Sequence, residues 1–184
     1  MNWPAELAPG SSWKDFLHPV LSRMDRGGRE NVEGLLASVE AGQLVVPDYQ
    51  RDRVWTPQQQ AAFVGFTLEG APLPAIYIRE VDTSDGPRDE IVDGQQRMAA
   101  LKAFTDGEVP AVFPSTGRCA WISGLAWVGW RMVGMPTCRF RGTRAEALSL
   151  YLSINSAGTP HTESDLERVR QLLAEAVSPH TSTA

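Results

Sequence analysis

The sequence predicts a single α+β domain, a small mixed β-sheet surrounded by helices. Three observations carry this. A chain of 184 residues with 42% apolar content is long enough for one substantial core. Two short β-rich runs, 75–81 and 90–92, flank a Ser/Gly/Pro/Asp loop and run straight into a helical pattern. Such a strand–loop–strand–helix unit builds an α+β layer rather than a chain of βαβ repeats. No internal repeat is visible.

Residues 1–30 read as an N-terminal helical and basic extension. Trp13, Phe16, Leu17, Val20, Leu21 and Met24 share one helical face, interrupted by Pro19. Arg23, Arg26 and Arg29, around Gly27-Gly28, read either as a mobile basic arm or as a solvated helix end. The domain proper is expected over 31–177, with a frayed tail over 178–184. Asn31 can cap a helix carrying Val32, Leu35, Leu36 and Val39, which Gly42 ends. A brief strand is expected at 44–46. Thr56-Pro57-Gln58-Gln59 then combines an N-cap, a first-turn proline and a capping-box glutamine. The helix it opens is expected to bury Phe63 and Phe66. Pro72 and Pro74 favour an extended lead into the strand at 75–81.

After Gly107 short strands are expected at 109–113, 120–123 and 137–141. Thr143 and Glu146 form a second capping box, opening a helix with Leu148, Tyr151, Leu152 and Ile154. Residues 155–160 break it, and 162–165 cap a last helix with Leu166, Val169 and Leu173 inside.

The formal charge of -5 advertises no global nucleic-acid footprint, so any DNA contact must use a local patch. Cys119 and Cys138, the only cysteines, form no CxxC pair and read as small buried hydrophobes in a reducing cytoplasm. No secretory signal opens the chain. The Trp- and Val-rich stretch 119–135 is a poor membrane span, because Gly124, Gly129, Arg131 and Gly134 interrupt it. Trp121, Trp127 and Trp130 fit either a core cluster or an aromatic platform for a base.

The chemistry concentrates at Asp93-Gly94-Gln95-Gln96-Arg97. A strand runs into Asp93-Gly94 and then into a helix with Met98, Leu101 and Phe104. Gly94 permits the sharp turn. The amides of Gln95, Gln96 and Arg97 then fall at a helix start, where free N–H groups and the helix dipole favour an anion. Arg97 is expected to add a phosphate-facing fork, so that its loss would leave folding nearly intact. A capped helix with a solvated face is the alternative.

Three blocks together resemble a known family: Val46–Arg51 with Trp55, the DGQQR run at 93–97, and Tyr151–Pro160. Gly70-Ala71-Pro72-Leu73-Pro74-Ala75-Ile76 is similar to the family's lead into a strand. The family comprises the N-terminal domains of GmrSD-type restriction proteins and SspE-like phage-defence proteins, within the ParB/sulfiredoxin superfamily. The resemblance spans roughly residues 31–170. It implies a ParB/sulfiredoxin-like fold and a nucleoside triphosphate site, for ATP or GTP with Mg²⁺, at the DGQQR corner. It further implies that Gln50 and Arg51 reach this pocket and that Asn155 and Thr159 close it. Ala157 stands where the family often has glycine, which bears on how closely backbone and ligand approach there.

The roles expected on this basis are as follows. Asp93, Gln96, Arg97 and Arg51 are the catalytic candidates, with Asp93 also holding the metal. Gln50, Gly94, Gln95, Asn155 and Thr159 are the nucleotide-binding candidates. Arg53, Trp55 and His161 are the DNA-binding candidates, against the alternatives of a surface ion pair, a core tryptophan and a helix-start histidine. Arginines suit the charge that spreads over phosphate oxygens in phosphoryl transfer. The restriction members carry an HNH-type nuclease domain, and His18, His161 and His180 offer no such motif. Two functions therefore stay open. One is a kinase of a hydroxymethylated base in DNA or a DNA-stimulated NTPase. The other is a regulatory nucleotide- and DNA-sensing subunit whose nuclease is a separate chain. DNA is an expected partner, a membrane is not, and a homo-oligomer stays open.

Overall fold

The computed structural model describes residues 20, 24–50, 54–125, 133–155 and 163–177. In chain order these form β1 (Asp25–Asn31), α1 (Val32–Glu40), β2 (Leu44–Val45), α2 (Pro57–Leu68) and β3 (Ile76–Glu80). A small hairpin follows, β4 (Asp82–Thr83) with β5 (Gly86–Pro87), then β6 (Asp89–Asp93) and α3 (Gln95–Thr105). The hairpin of β7 (Ala111–Val112) and β8 (Cys119–Ala120) leads to a 3-10 turn at Ile122–Leu125. The last described elements are β9 (Gly134–Arg141), α4 (Arg144–Asn155) and α5 (Glu163–Val177).

The main sheet runs β1-β9-β3-β6-β2. It is mixed, because β1/β9 and β3/β6 are antiparallel whereas β9/β3 and β6/β2 are parallel. Side chains alternate across a pleated strand, and here both faces are covered. Ile76, Ile78, Ile91 and Met135 enter one core with Leu35 of α1, Val64 of α2 and Leu101 and Phe104 of α3. Tyr77, Val92 and Phe140 enter a second core with Tyr49, Leu148 and Tyr151 of α4 and Val169 of α5. Each fully buried side chain of this size contributes about 1.5–3 kcal/mol. The two cores together are what hold helices to both faces of a narrow sheet.

The local signals read from the sequence account for most boundaries. Asn31 accepts from the Gly34 amide at the start of α1. Thr56 and Gln59 exchange bonds at the start of α2, where the Thr56 amide donates to Gln59 Oε1 at 2.8 Å. Thr143 and Glu146 do the same ahead of α4. Gly65 lets α2 sit directly on β7, since a methyl there would overlap the Val112 carbonyl at 1.8 Å.

Three expectations are corrected. Residues 25–30, read as part of a basic arm or helix end, form with Asn31 the edge strand β1, so the sheet starts before residue 31. Pairing with β9 supplies partners that a Gly-Gly-interrupted basic run does not advertise. Phe66 of α2 is 48% exposed rather than buried. Cys119 is exposed, because it lies on the short outer hairpin, while Cys138 of β9 is buried as expected. Of the three clustered tryptophans, Trp121 is exposed, and Trp127 and Trp130 lie outside the described residues. Among the described residues no helix is long and apolar enough to cross a membrane.

Charge also ties the strands together. Arg139 of β9 donates to Glu30 of β1 at 2.7 and 2.9 Å and to Asp89 of β6 at 2.6 Å, bracing the sheet across the intervening β3. The Arg139 guanidinium holds the Glu30 carboxyl below the usual carboxylate range, against the opposing effect of burial. A carboxyl depressed on folding stabilises the protein above its unfolded pKa, and that contribution is lost as pH falls through the folded pKa. Glu30→Gln should therefore cost about 1 kcal/mol or less near neutrality, since the pair is partly solvent-screened. In urea titrations from pH 7 to pH 3 the gap between variant and parent should close toward the acid end.

Candidate functional site

The corner between β6 and α3 is built around one glycine. Gly94 is the N-cap residue of α3 with φ 115°, and no side chain caps this helix. A side chain at 94 would be strained by that φ, and its first carbon would also press on Ile76 at 3.0 Å. The backbone thus turns from strand into helix in a single residue, leaving the first helical turn to meet whatever lies in front of it.

What lies in front is a cavity of about 440 Å³, within the range of small-molecule sites. It is lined by Asp93 to Arg97, by Trp55, Phe63 and Phe66 with the 71–74 segment, by Tyr151, Ile154 and Asn155 of α4, and by Gln50. Of the expected site residues, Gln50, Trp55, Asp93, Gly94, Gln95, Gln96, Arg97 and Asn155 are brought together here. Arg51, Arg53, Thr159 and His161 lie outside the described residues.

The roles these groups take differ from the sequence expectation in an informative way. Arg97 is buried, 7% exposed. Its Nη1 donates to the Pro74 and Ala75 carbonyls at 2.6 and 2.8 Å, and its Nη2 pairs with Asp93 at 2.5 Å. Expected to face a ligand, the guanidinium instead fastens the 74–75 backbone to the strand–helix corner. The reason is local: Asp93 closes β6 and Arg97 sits in the first turn of α3, so the bend at Gly94 brings the two side chains together. The Pro74 and Ala75 carbonyls, just ahead of β3, then receive the remaining donors.

Gln50 and Gln96 bond to backbone groups beside the cavity. Gln50 Nε2 donates to the Ile91 and Val92 carbonyls at 3.1 and 2.7 Å. Gln96 Oε1 accepts from the Val54 and Trp55 amides at 3.1 and 3.2 Å. Trp55 packs on Phe63 with ring centroids 5.4 Å apart, forming an apolar wall. Asn155 Nδ2 donates to the Tyr151 carbonyl within its own helix. The side-chain amide oxygen of Gln95 is shielded from solvent and has no hydrogen-bond partner among the described residues.

Sequence reasoning missed two arginines that shape this region. Arg168 of α5 donates to the Asp48, Tyr49 and Gln50 carbonyls, each at 3.2 Å. Arg144 pairs with Asp48 at 2.6 Å and lies over the Tyr49 ring. Tyr49 is fully buried edge-on to Tyr151. Burial, reinforced by the negative charge of Glu90, pushes its phenol well above the ordinary range, so it stays neutral. A charge on a helix face carries no sequence mark separating a loop clamp from a solvated side chain. Only the tertiary arrangement identifies Arg168.

Among the described residues, Asp93 and Arg97 are the only charged groups lining the cavity, and they are paired with each other. Attraction for an anion there comes from the helix N-terminus, equivalent to roughly half a positive charge. No three His, Cys, Asp or Glu side chains converge as a metal cage among the described residues. Asp93 is the one described carboxylate in the cavity, and a single carboxylate fits Mg²⁺ that keeps its waters and takes substrate phosphates as further ligands.

Comparison with known proteins adds one finding. A family model described as "GmrSD restriction endonuclease, N-terminal domain" matches residues 32–128, just over half of the chain. The matched segment holds Gln50, Trp55 and the 93–97 corner, whereas the Asn155 block lies beyond it. No curated protein and no solved structure matches the chain.

The buried role of Arg97 reverses the expectation that its loss would leave folding intact. Arg97→Met should lower stability by about 2–3 kcal/mol, because Asp93 loses its counter-charge and two carbonyls lose their donors. Asp93→Asn in the same chain should recover part of that loss. An unchanged urea midpoint for Arg97→Met would contradict the assignment.

Proposed function

From the premise that the chain belongs to the family of GmrSD restriction endonuclease N-terminal domains, we propose that it is the nucleotide-sensing module of a GmrSD-type DNA restriction system. The nucleotide occupies the cavity at the start of α3, and cleavage of DNA falls to a nuclease on another chain. One observation carries this reading. Three blocks far apart in sequence, around Gln50, Asp93–Arg97 and Tyr151–Asn155, converge on one cavity at a helix N-terminus that no side chain caps.

Physical chemistry orients the ligand. The phosphates belong at the first turn of α3, where the dipole and the backbone N–H groups favour negative charge. The base belongs on the apolar side, against Trp55, Phe63 and Phe66, whose rings offer a stacking surface. A triphosphate carries more charge than a helix terminus offsets, so it enters with Mg²⁺, with Asp93 as the described carboxylate able to approach the ion.

The family match and the placement of Arg97 support sensing over phosphoryl transfer. The catalytic arginine expected at 97 is committed to Asp93 and to backbone carbonyls, which holds it away from the charge of a transferring phosphoryl group.

The test is calorimetry with each of the four ribonucleoside triphosphates and Mg²⁺. Product analysis by mass follows, after incubation with DNA bearing 5-hydroxymethyl bases. The expected result is saturable binding of at least one nucleotide, nucleoside diphosphate and free phosphate as the only products if turnover occurs, and unmodified DNA. Absence of any nucleotide binding overturns the proposal. Phosphate appearing on the DNA replaces it with a kinase.

A further inference from the structure

Beside the cavity, two glutamine side chains meet backbone groups with opposite polarity, dictated by their partners. Gln50 meets two consecutive carbonyls, so it must present its NH₂ group. Gln96 meets two consecutive amides, so it must present its oxygen. The next amide along, that of Thr56, is taken by Gln59 Oε1. Three successive backbone N–H groups, 54 to 56, are therefore satisfied by glutamine carbonyls just ahead of α2. Two of the three depend on Gln96.

We propose that Gln96 is a positioning residue for the cavity. Its carbonyl oxygen sets the Trp55 wall relative to the start of α3, and it acts on a ligand through that wall rather than by direct contact from the oxygen. The placement of Gln96 makes this specific. As the second residue of α3 it belongs to the same helical turn that offers backbone N–H groups to an anion, so one residue links the polar floor to the aromatic side. Trp55 in turn rests on Phe63, and a loosened 54–55 backbone would withdraw both the indole and the wall it forms. The effect on ligand rests on the nucleotide reading above, whereas the tether itself exists without ligand.

The experiment uses the full chain labelled with 5-fluorotryptophan, the Trp55 resonance being identified by its loss in Trp55→Phe. Gln96→Leu keeps the shape and removes the acceptor, and its Trp55 ¹⁹F resonance should shift or broaden. Gln96→Glu keeps an oxygen acceptor for both amides, and its Trp55 resonance should return to the parent position. In calorimetry with the four ribonucleoside triphosphates, Gln96→Leu should weaken binding about tenfold. Gln96→Glu should weaken the triphosphate more than the corresponding monophosphate, because a carboxylate now stands beside the phosphate end.

A Trp55 resonance unmoved in Gln96→Leu, or displaced equally in Gln96→Leu and Gln96→Glu, overturns the proposal. Should Gln96→Leu fail to fold, Gln96→Asn, one methylene too short to reach both amides, takes its place with the same expectation. If the parent protein binds none of the triphosphates, the sensing reading fails while the ligand-free ¹⁹F comparison still decides the tether.

Discussion

The contact on which the region around the cavity depends is the buried pairing of Arg97 with Asp93 and with the Pro74 and Ala75 carbonyls. A guanidinium cannot be deprotonated, and left in a half-dry corner without partners it would be costly. Its donors therefore dictate where the chain leading into β3 must lie relative to the turn between β6 and α3. Gly94 supplies the bend and Arg97 locks it. Once that corner is rigid, the adjoining 71–74 segment forms one rim of the cavity and the first turn of α3 forms its floor.

Around this fixed corner the structure adds parts that are fastened by backbone groups. The 48–50 turn is held at its carbonyls by Arg168, Gln50 grips β6, and Gln96 holds the amides of Val54 and Trp55. Main-chain anchoring of this kind is tolerant of side-chain exchange along the anchored segment. Specificity for a ligand can then be varied at the wall without loosening the frame, a division of labour common where loops carry function on a rigid scaffold.

Much of the fold was legible in the sequence because it is written in local chemistry. Asn31, Thr56 and Thr143 announced helix starts through capping patterns, and the β-rich runs 75–81 and 90–92 announced two neighbouring strands of the sheet. The corner at Gly94 was legible because only glycine suits that backbone. What could not be read was decided by partners distant in sequence. Residues 25–31 become a strand only because β9, more than a hundred residues later, supplies their hydrogen bonds. Phe66 looked like a core residue from its spacing, yet the helix surface it occupies borders the cavity. Arg97 looked like a phosphate ligand from its neighbours. Its orientation was settled by carbonyls more than twenty residues upstream, which no local pattern reveals.

The cavity touches helices that belong to opposite faces of the sheet, α2 and α3 from one and α4 from the other. It is a seam between two separately packed halves of the molecule. Any molecule that fills it bridges those halves, and its affinity adds directly to the work needed to pull them apart. Occupancy would thus be felt as a stiffening of the whole particle, from the α5 side to the α1 side, without any single element having to move.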